Sequence, residues 1–282
     1  MVVPAASCSP CHALRRALLW PASALAFAAL SIGFTSPARA EGMVTDRPDF
    51  VESSEVVGPH RVQIESGLDF DRDDAGGLRA RGRSTPMLLR IGLDERLELR
   101  VETDGALRQD VRDPATGLRI RQSGTADTAL GVKWHNQEGD EDTGRPSTAW
   151  LLHVELPTGD RAFRGQGWRP SLRYVAEWDL PDEVSVGVMP GVLLDKNESG
   201  DRFASGMFAI TVGKDLPGGW HGFVELAAQQ LAARRNGGNV FTFDTGVAWS
   251  VTDDLQVDAS LAAGLNRNAT DLVWGVGLSV RF

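Results

Sequence analysis

The sequence predicts an all-β chain whose strands close into a transmembrane antiparallel up-and-down barrel, about twelve strands following a cleaved signal peptide. Three observations predict it. Apolar and polar side chains alternate with a period of two in segment after segment, while helical spacing fails throughout. The connections between those segments are short and long by turns. Past residue 40, no apolar stretch reaches the roughly 18–20 residues that a spanning helix needs. A chain that crosses a membrane without such a helix must close a sheet on itself, because only then is every backbone group satisfied without water.

Residues 1–40 carry no acid, hold Arg15 and Arg16, then run apolar from Ala17 to Phe34 and end in Ala38-Arg39-Ala40. That is the pattern of a secretory signal peptide, so the fold is sought after it. Both cysteines, Cys8 and Cys11, fall in this segment. Cleavage after Ala40 leaves no disulfide, no thiolate nucleophile and no cysteine metal site. It also takes Lys+Arg from 29 to 26 against 38 acids, a net charge of −12 that argues against nucleic acid as a partner.

Residues 41–60 form a polar, aperiodic lead-in with two prolines, and residues 61–282 form the barrel. Its first strand is expected near Arg61–Phe70, where Val62, Ile64, Leu68 and Phe70 oppose Gln63, Glu65 and Asp69. Thr85–Gly92 follows, then Arg96–Thr103, in which Leu97, Leu99 and Val101 alternate with Arg96, Glu98, Arg100 and Glu102. The fourth and fifth are Asp127–His135, with Lys133 on its polar face, and Ala149–Leu156, with His153 and Glu155. Ser171–Leu180 carries Arg173 and Glu177; Val184–Leu194 and Phe203–Gly213 come next. Trp220–Gln230 sets His221 and Glu225 against Val224 and Leu226, and Val240–Val251 sets Asp244 against Phe243 and Val247. Leu255–Leu265 and the last strand, Leu272–Phe282 with Arg281, complete the count.

Short connections such as 93–95, 181–183 and 252–254 alternate with long ones such as 71–84, 104–126 and 157–170, the asymmetry of outer-membrane barrels. Both termini then lie on the short, periplasmic side. Residues 136–148 are too long for that side and mark the place where a strand could be miscounted. In the same orientation Trp134, Trp150, Trp178, Trp220 and Trp249 fall at periplasmic strand ends on the apolar face, as a membrane-interface girdle would. A soluble two-sheet sandwich is the competing fold, but its core tryptophans would not keep to one level.

The polar face collects Glu65, Arg96, Glu98, Arg100, Glu102, Lys133, His153, Glu155, Arg173, Glu177, His221, Glu225, Asp244 and Arg281 as lumen-lining candidates. Mixed charges of this kind brace a narrow lumen by pairing, line a path for solute, or do both. An outer-membrane barrel enzyme, an esterase or deacylase, is the rival class. It needs a serine within reach of a histidine, and neither His153 nor His221 has one two residues away on its face. His135, His153 and His221 could join Glu155 or Glu225 as an acid–base group only by tertiary approach. The expectation is therefore no enzyme, no catalytic residue, no metal and no cofactor. Asp69, Asp71, Asp73 and Asp74 lack the glutamate a calcium loop needs at its twelfth position, where Ala80 stands.

Thr45-Asp46-Arg47-Pro48-Asp49-Phe50, followed by Pro59 and Val62-Gln63-Ile64-Glu65-Ser66-Gly67, resembles the start of a family of outer-membrane transporters labelled for the meta-pathway of phenol degradation. Leu156-Pro157-Thr158-Gly159-Asp160, Leu255-Gln256-Val257-Asp258 and the terminal Phe282 are similar to the same family, so the likeness spans nearly all of the chain after the signal peptide. The resemblance implies a cell outer-membrane channel or transporter of a Gram-negative cell that passes small, hydrophobic or aromatic compounds. It implies as partners the lipid bilayer and, through Phe282 as an assembly signal, the barrel-assembly machinery. A structural barrel with a plugged lumen is the other alternative to a channel.

Overall fold

The computed structural model describes residues 42–197 and 199–282; the signal peptide read at residues 1–40 lies outside the described residues. Fifteen strands follow in order: β1 (Val62–Asp73), β2 (Arg79–Ser84), β3 (Met87–Gly92), β4 (Leu97–Thr103), β5 (Ala106–Arg112), β6 (Arg119–Thr125), β7 (Thr128–Gln137), β8 (Ser147–Leu156), β9 (Arg169–Leu180), β10 (Val184–Lys196), β11 (Arg202–Leu216), β12 (Trp220–Leu231), β13 (Val240–Thr252), β14 (Leu255–Gly264) and β15 (Leu272–Arg281). All pairings are antiparallel, and twelve of the strands form a closed ring in the order β15 back to β7, then β4, β3 and β1, which returns to β15. Closure is continuous from Gln63 opposite Arg281 to Arg72 opposite Leu272. Phe282 locks it further, donating its N–H to the Val62 carbonyl at 2.8 Å and accepting from the Val62 N–H at 3.2 Å.

The other three strands, β2, β5 and β6, occupy stretches expected to be loops. They continue the ring strands β3, β4 and β7 beyond three adjacent breaks, at Thr85–Pro86, Asp104–Gly105 and Ala126–Asp127. At the middle break Gly105 adopts φ +65°, and a Cβ there would meet the Thr85 carbonyl oxygen at 2.2 Å. Only glycine turns the chain so close to its neighbour. Thr85 N–H donates to the Asp104 carbonyl and Ala126 N–H to the Gly105 carbonyl, so the breaks stay hydrogen-bonded across the sheet. β1 bridges both parts, pairing with β3 through its first half and with β2 through its second. The feared miscount at 136–148 does not arise: β7 and β8 pair directly, joined by a turn pinned by an Asp140–Arg145 bridge.

Burial alternates along the strands as the period of two requires. In β11, Phe208, Ile210 and Val212 are exposed outward, while Met207, Ala209 and Thr211 are buried inward. The outside of the ring is a belt of Leu, Ile, Val, Phe and Trp side chains, including Leu99, Leu130, Leu152, Leu226 and Leu261. A belt of that composition is destabilising in water and matched to hydrocarbon. The interior holds an apolar cluster of Ala149, Leu151, Val175, Met189, Ala209 and Ala227 around Val51, and opposite it a charged cluster described next.

Candidate functional site in the lumen

The lead-in runs through the barrel interior. It forms no strand, so its backbone N–H and C=O groups, removed from water, must find partners elsewhere. The wall supplies them by charge type. Glu65 accepts the N–H groups of Asp46 and Arg47 at 3.0 and 3.1 Å, and Glu225 those of Phe50 and Val51 at 3.0 and 2.8 Å. Glu177 accepts from Ser54 N–H at 2.6 Å and Glu98 from Val57 N–H at 3.0 Å. Lead-in carbonyls are met by bases: Arg90 donates to Val44 and Glu55, and Lys133 to Ser53 at 2.6 Å.

Side chains of the lead-in complete the network. Asp46 sits between three cations, with Arg100 Nη1 at 2.5 Å, Lys133 Nζ at 2.8 Å and Arg90 Nη1 at 3.5 Å. Burial alone would push its carboxyl up, but Arg90, Lys133 and Arg100 outweigh it and hold it well below the usual carboxylate range. Glu52 meets Arg100 at 2.6 Å and also pairs with Arg173. Burial raises it, and Arg100 with Arg173 overcome that to set it at about 2. Asp49 has no such cation; burial pushes it up to about 8, with Glu177 and Asp46 adding to the rise. Across the lumen Arg47 reaches Asp258 at 3.2 Å and Asp69 at 3.8 Å, and Gln256 donates to Thr45 Oγ1 at 2.7 Å.

Of the residues expected to line the lumen, Glu65, Glu98, Arg100, Lys133, Arg173, Glu177 and Glu225 bind the lead-in directly. His153 lies behind Arg100, accepting from its Nε at 3.1 Å. Glu102, His153, Glu155, Arg169 and Arg173 line a cavity of about 140 Å³ facing the long-loop end. Glu155 pairs there with Arg169, which also meets Asp127 at 3.1 Å. Asp244 accepts from Thr242 at 3.0 Å. His221 pairs with Asp215 at 2.7 Å near the short-turn end, and Arg281 with Asp254 at 2.8 Å. Arg96 lies just before β4, where its carbonyl accepts from His135 N–H at 2.8 Å, and its side chain is exposed at the short-turn rim. Arg90, Asp46, Glu52 and Arg47 were not among the candidates. Arg90 shares the inward parity of Leu88, Asp46 and Arg47 lie in the segment that carries the family resemblance, and Glu52 lies two residues beyond it.

On the outside, Trp134, Trp150, Trp220 and Trp249 are exposed and Trp178 is half-buried, all near the short-turn end. Trp220 stacks on Trp249 with centroids 5.6 Å apart, and Trp150 packs on Tyr174 at 4.7 Å.

Residues 45–282 match the family described as "Putative MetA-pathway of phenol degradation". The chain belongs to that family. No curated protein matches it. Among solved structures it is similar to the COG4313 outer membrane channel from Pseudomonas putida F1, at 14% identity and a TM-score of 0.58, over 82% of this chain and 98% of that one. It is also similar to the KdgM porin, at 11% identity and a TM-score of 0.50, over 78% and 99%. A third likeness is the beta domain of the Bordetella autotransporter Brka, at 12% identity and a TM-score of 0.50, over 79% and 100%. At such identities the shared property is the closed barrel. With its lipid-matched belt, this family member is an outer-membrane β-barrel.

Proposed function

We propose that the protein is an outer-membrane channel for small molecules, hydrophobic or aromatic in keeping with the family description, whose lumen is held closed by residues 43–58. The observation that carries this reading is the way the lead-in is retained. It is bound by side chains and not by strand pairing, so it can leave without opening the sheet. The girdle tryptophans fix the barrel's depth in the bilayer, and Phe282 is read by the barrel-assembly machinery. A chemical role is not supported. His135, His153 and His221 hydrogen-bond a backbone carbonyl, an arginine and an aspartate, none of them a hydroxyl nucleophile.

The plugged-lumen reading, a barrel that serves structure alone, draws support from how fully the lead-in is hydrogen-bonded. Single-channel recording of the refolded barrel separates the two. A channel shows rare openings that become frequent when residues 43–58 are deleted, and that variant passes small aromatic solutes into liposomes. A lumen that stays non-conducting after the deletion refutes the channel.

A further inference from the structure

At the short-turn rim, one ligand atom from each of Glu55, His135 and Glu138 lies within 4.8 Å of the other two. Glu55 belongs to the lead-in, whereas His135 and Glu138 belong to the wall, at and just beyond the end of β7. In a regular strand, residues three apart face opposite sides. Here the register shifts between His135 and Gln137, and this bulge brings His135 and Glu138 together.

The protonation of the histidine follows from its neighbours. His135 Nδ1 lies 3.0 Å from the Ser54 carbonyl oxygen, which can only accept, so Nδ1 carries the proton. In the neutral ring Nε2 then holds a bare lone pair. It is buried and has no hydrogen-bond partner, although the Glu138 carboxylate is 3.3 Å away. Two acceptors facing each other need a proton or a metal ion between them, and the 3.3 Å separation suits the latter. Bonds of about 2.0–2.1 Å to a tetrahedral zinc place two ligand atoms roughly 3.3–3.4 Å apart, the separation observed. A backbone carbonyl holding the far nitrogen of the ring is also the usual support for a metal-bound histidine. Glu55 Oε1 lies 3.8 Å from His135 Nδ1 and accepts from Ser147 Oγ at 3.1 Å, so its carboxylate turns toward the Nε2 side to complete the set.

We propose that Glu55, His135 and Glu138 form a binding site for a divalent transition metal, zinc by the mixture of one imidazole and two carboxylates, which clips the lead-in to the barrel wall. Magnesium and calcium favour oxygen-only shells and fit it poorly. A fourth position is left for water. The clip does not depend on what the barrel passes. Its ligands come from the plug and the wall, so bound metal opposes release of the lead-in and an empty site permits it.

The test uses the mature, tag-free barrel in detergent, titrated with Zn²⁺ by calorimetry and with Co²⁺ by visible absorption. About one ion per barrel is expected, with the absorption of tetrahedral cobalt. Glu138 is 79% exposed, and E138Q leaves the lead-in contacts intact. That variant should bind at least about tenfold more weakly, the lower end of what even an outer-shell change costs. H135Q should abolish the cobalt spectrum. Stoichiometric zinc lost in both variants establishes the site. Absence of stoichiometric binding to the wild-type barrel, or binding unchanged in E138Q, refutes it and leaves His135–Glu138 as a simple ion pair.

Discussion

Arg100 is the residue whose loss should most directly free the lead-in. Its guanidinium meets Asp46 at 2.5 Å, Glu52 at 2.6 Å and Glu98 at 2.8 Å, all buried. Removing one partner of a buried ion pair costs about 3–5 kcal/mol when the other charge is left alone. In R100M no carboxylate is left alone. Asp46 keeps Lys133 and Arg90, Glu52 keeps Arg173, and Glu98 keeps Arg90. The loss is then that of charged hydrogen bonds whose acceptors keep other partners, about 1.5–3 kcal/mol, which at 1.4 kcal/mol per tenfold shifts the seated-to-released ratio by roughly 10- to 100-fold. Because Asp46 and Glu52 are on the lead-in and Arg100 on the wall, the change falls on seating and not on strand pairing. Single-channel recording in planar bilayers reads it as a rise in open probability of that order, with the heat-modifiable barrel on a gel unchanged. An R100M channel as closed as wild type would refute the idea that this cluster retains the lead-in.

Leu99→Arg places a charge on the lipid face, where Leu99 is 41% exposed, and should cost about 2–4 kcal/mol of folding stability if the site lies near the midplane, measured by urea unfolding in lipid vesicles. Gln256→Arg points inward at Thr45 and should spare the barrel while loosening the lead-in; equal damage from both substitutions would undo the assignment of faces. Deleting Phe282 removes two backbone hydrogen bonds at the seam and the proposed assembly signal, so heat-modifiable barrel in the outer membrane should fall sharply. The lead-in acids predict opposite pH limits. Glu52, lowered to about 2, stabilises the seated state above its ordinary value of 4.5, and that contribution is lost as pH falls from there toward 2. Asp49, raised to about 8, favours the seated state fully below 3.8 and progressively less as pH rises to 8. Open probability measured against pH should therefore rise at both ends, and a flat profile would contradict both assignments.

The ring strands were legible because each has one face in hydrocarbon, which imposes a strict period of two. Every expected ring strand, from Arg61–Phe70 to Leu272–Phe282, has its counterpart, β1 to β15, within a few residues. The strands β2, β5 and β6 were not legible for the complementary reason. Arg79-Ala80-Arg81-Gly82-Arg83-Ser84 and Arg119-Ile120-Arg121-Gln122-Ser123-Gly124 face water on both sides, so pairing with neighbours sets them and no apolar alternation reports them. Arg96 sits one residue before β4, bonded through its carbonyl to His135 N–H, which puts its side chain at the exposed rim.

The lumen was half legible. Parity identified which wall residues point inward, yet the choice between charges that brace the wall and charges that line a path left out a third possibility, that the charges face a separate segment. The aperiodic lead-in gives little local sign of where it goes: Ser53 and Glu55 N–H bond locally to Asp46 and Ser53, but most of its backbone bonds are made by residues distant in sequence, Glu65, Glu98, Glu177 and Glu225 for N–H groups and Arg90 and Lys133 for carbonyls. Acids that only braced the wall would be expected to pair mainly with wall bases. Glu177 and Glu225 instead spend their oxygens on lead-in N–H groups, and only a chain threaded between them gives two unpaired inward carboxylates a stable place.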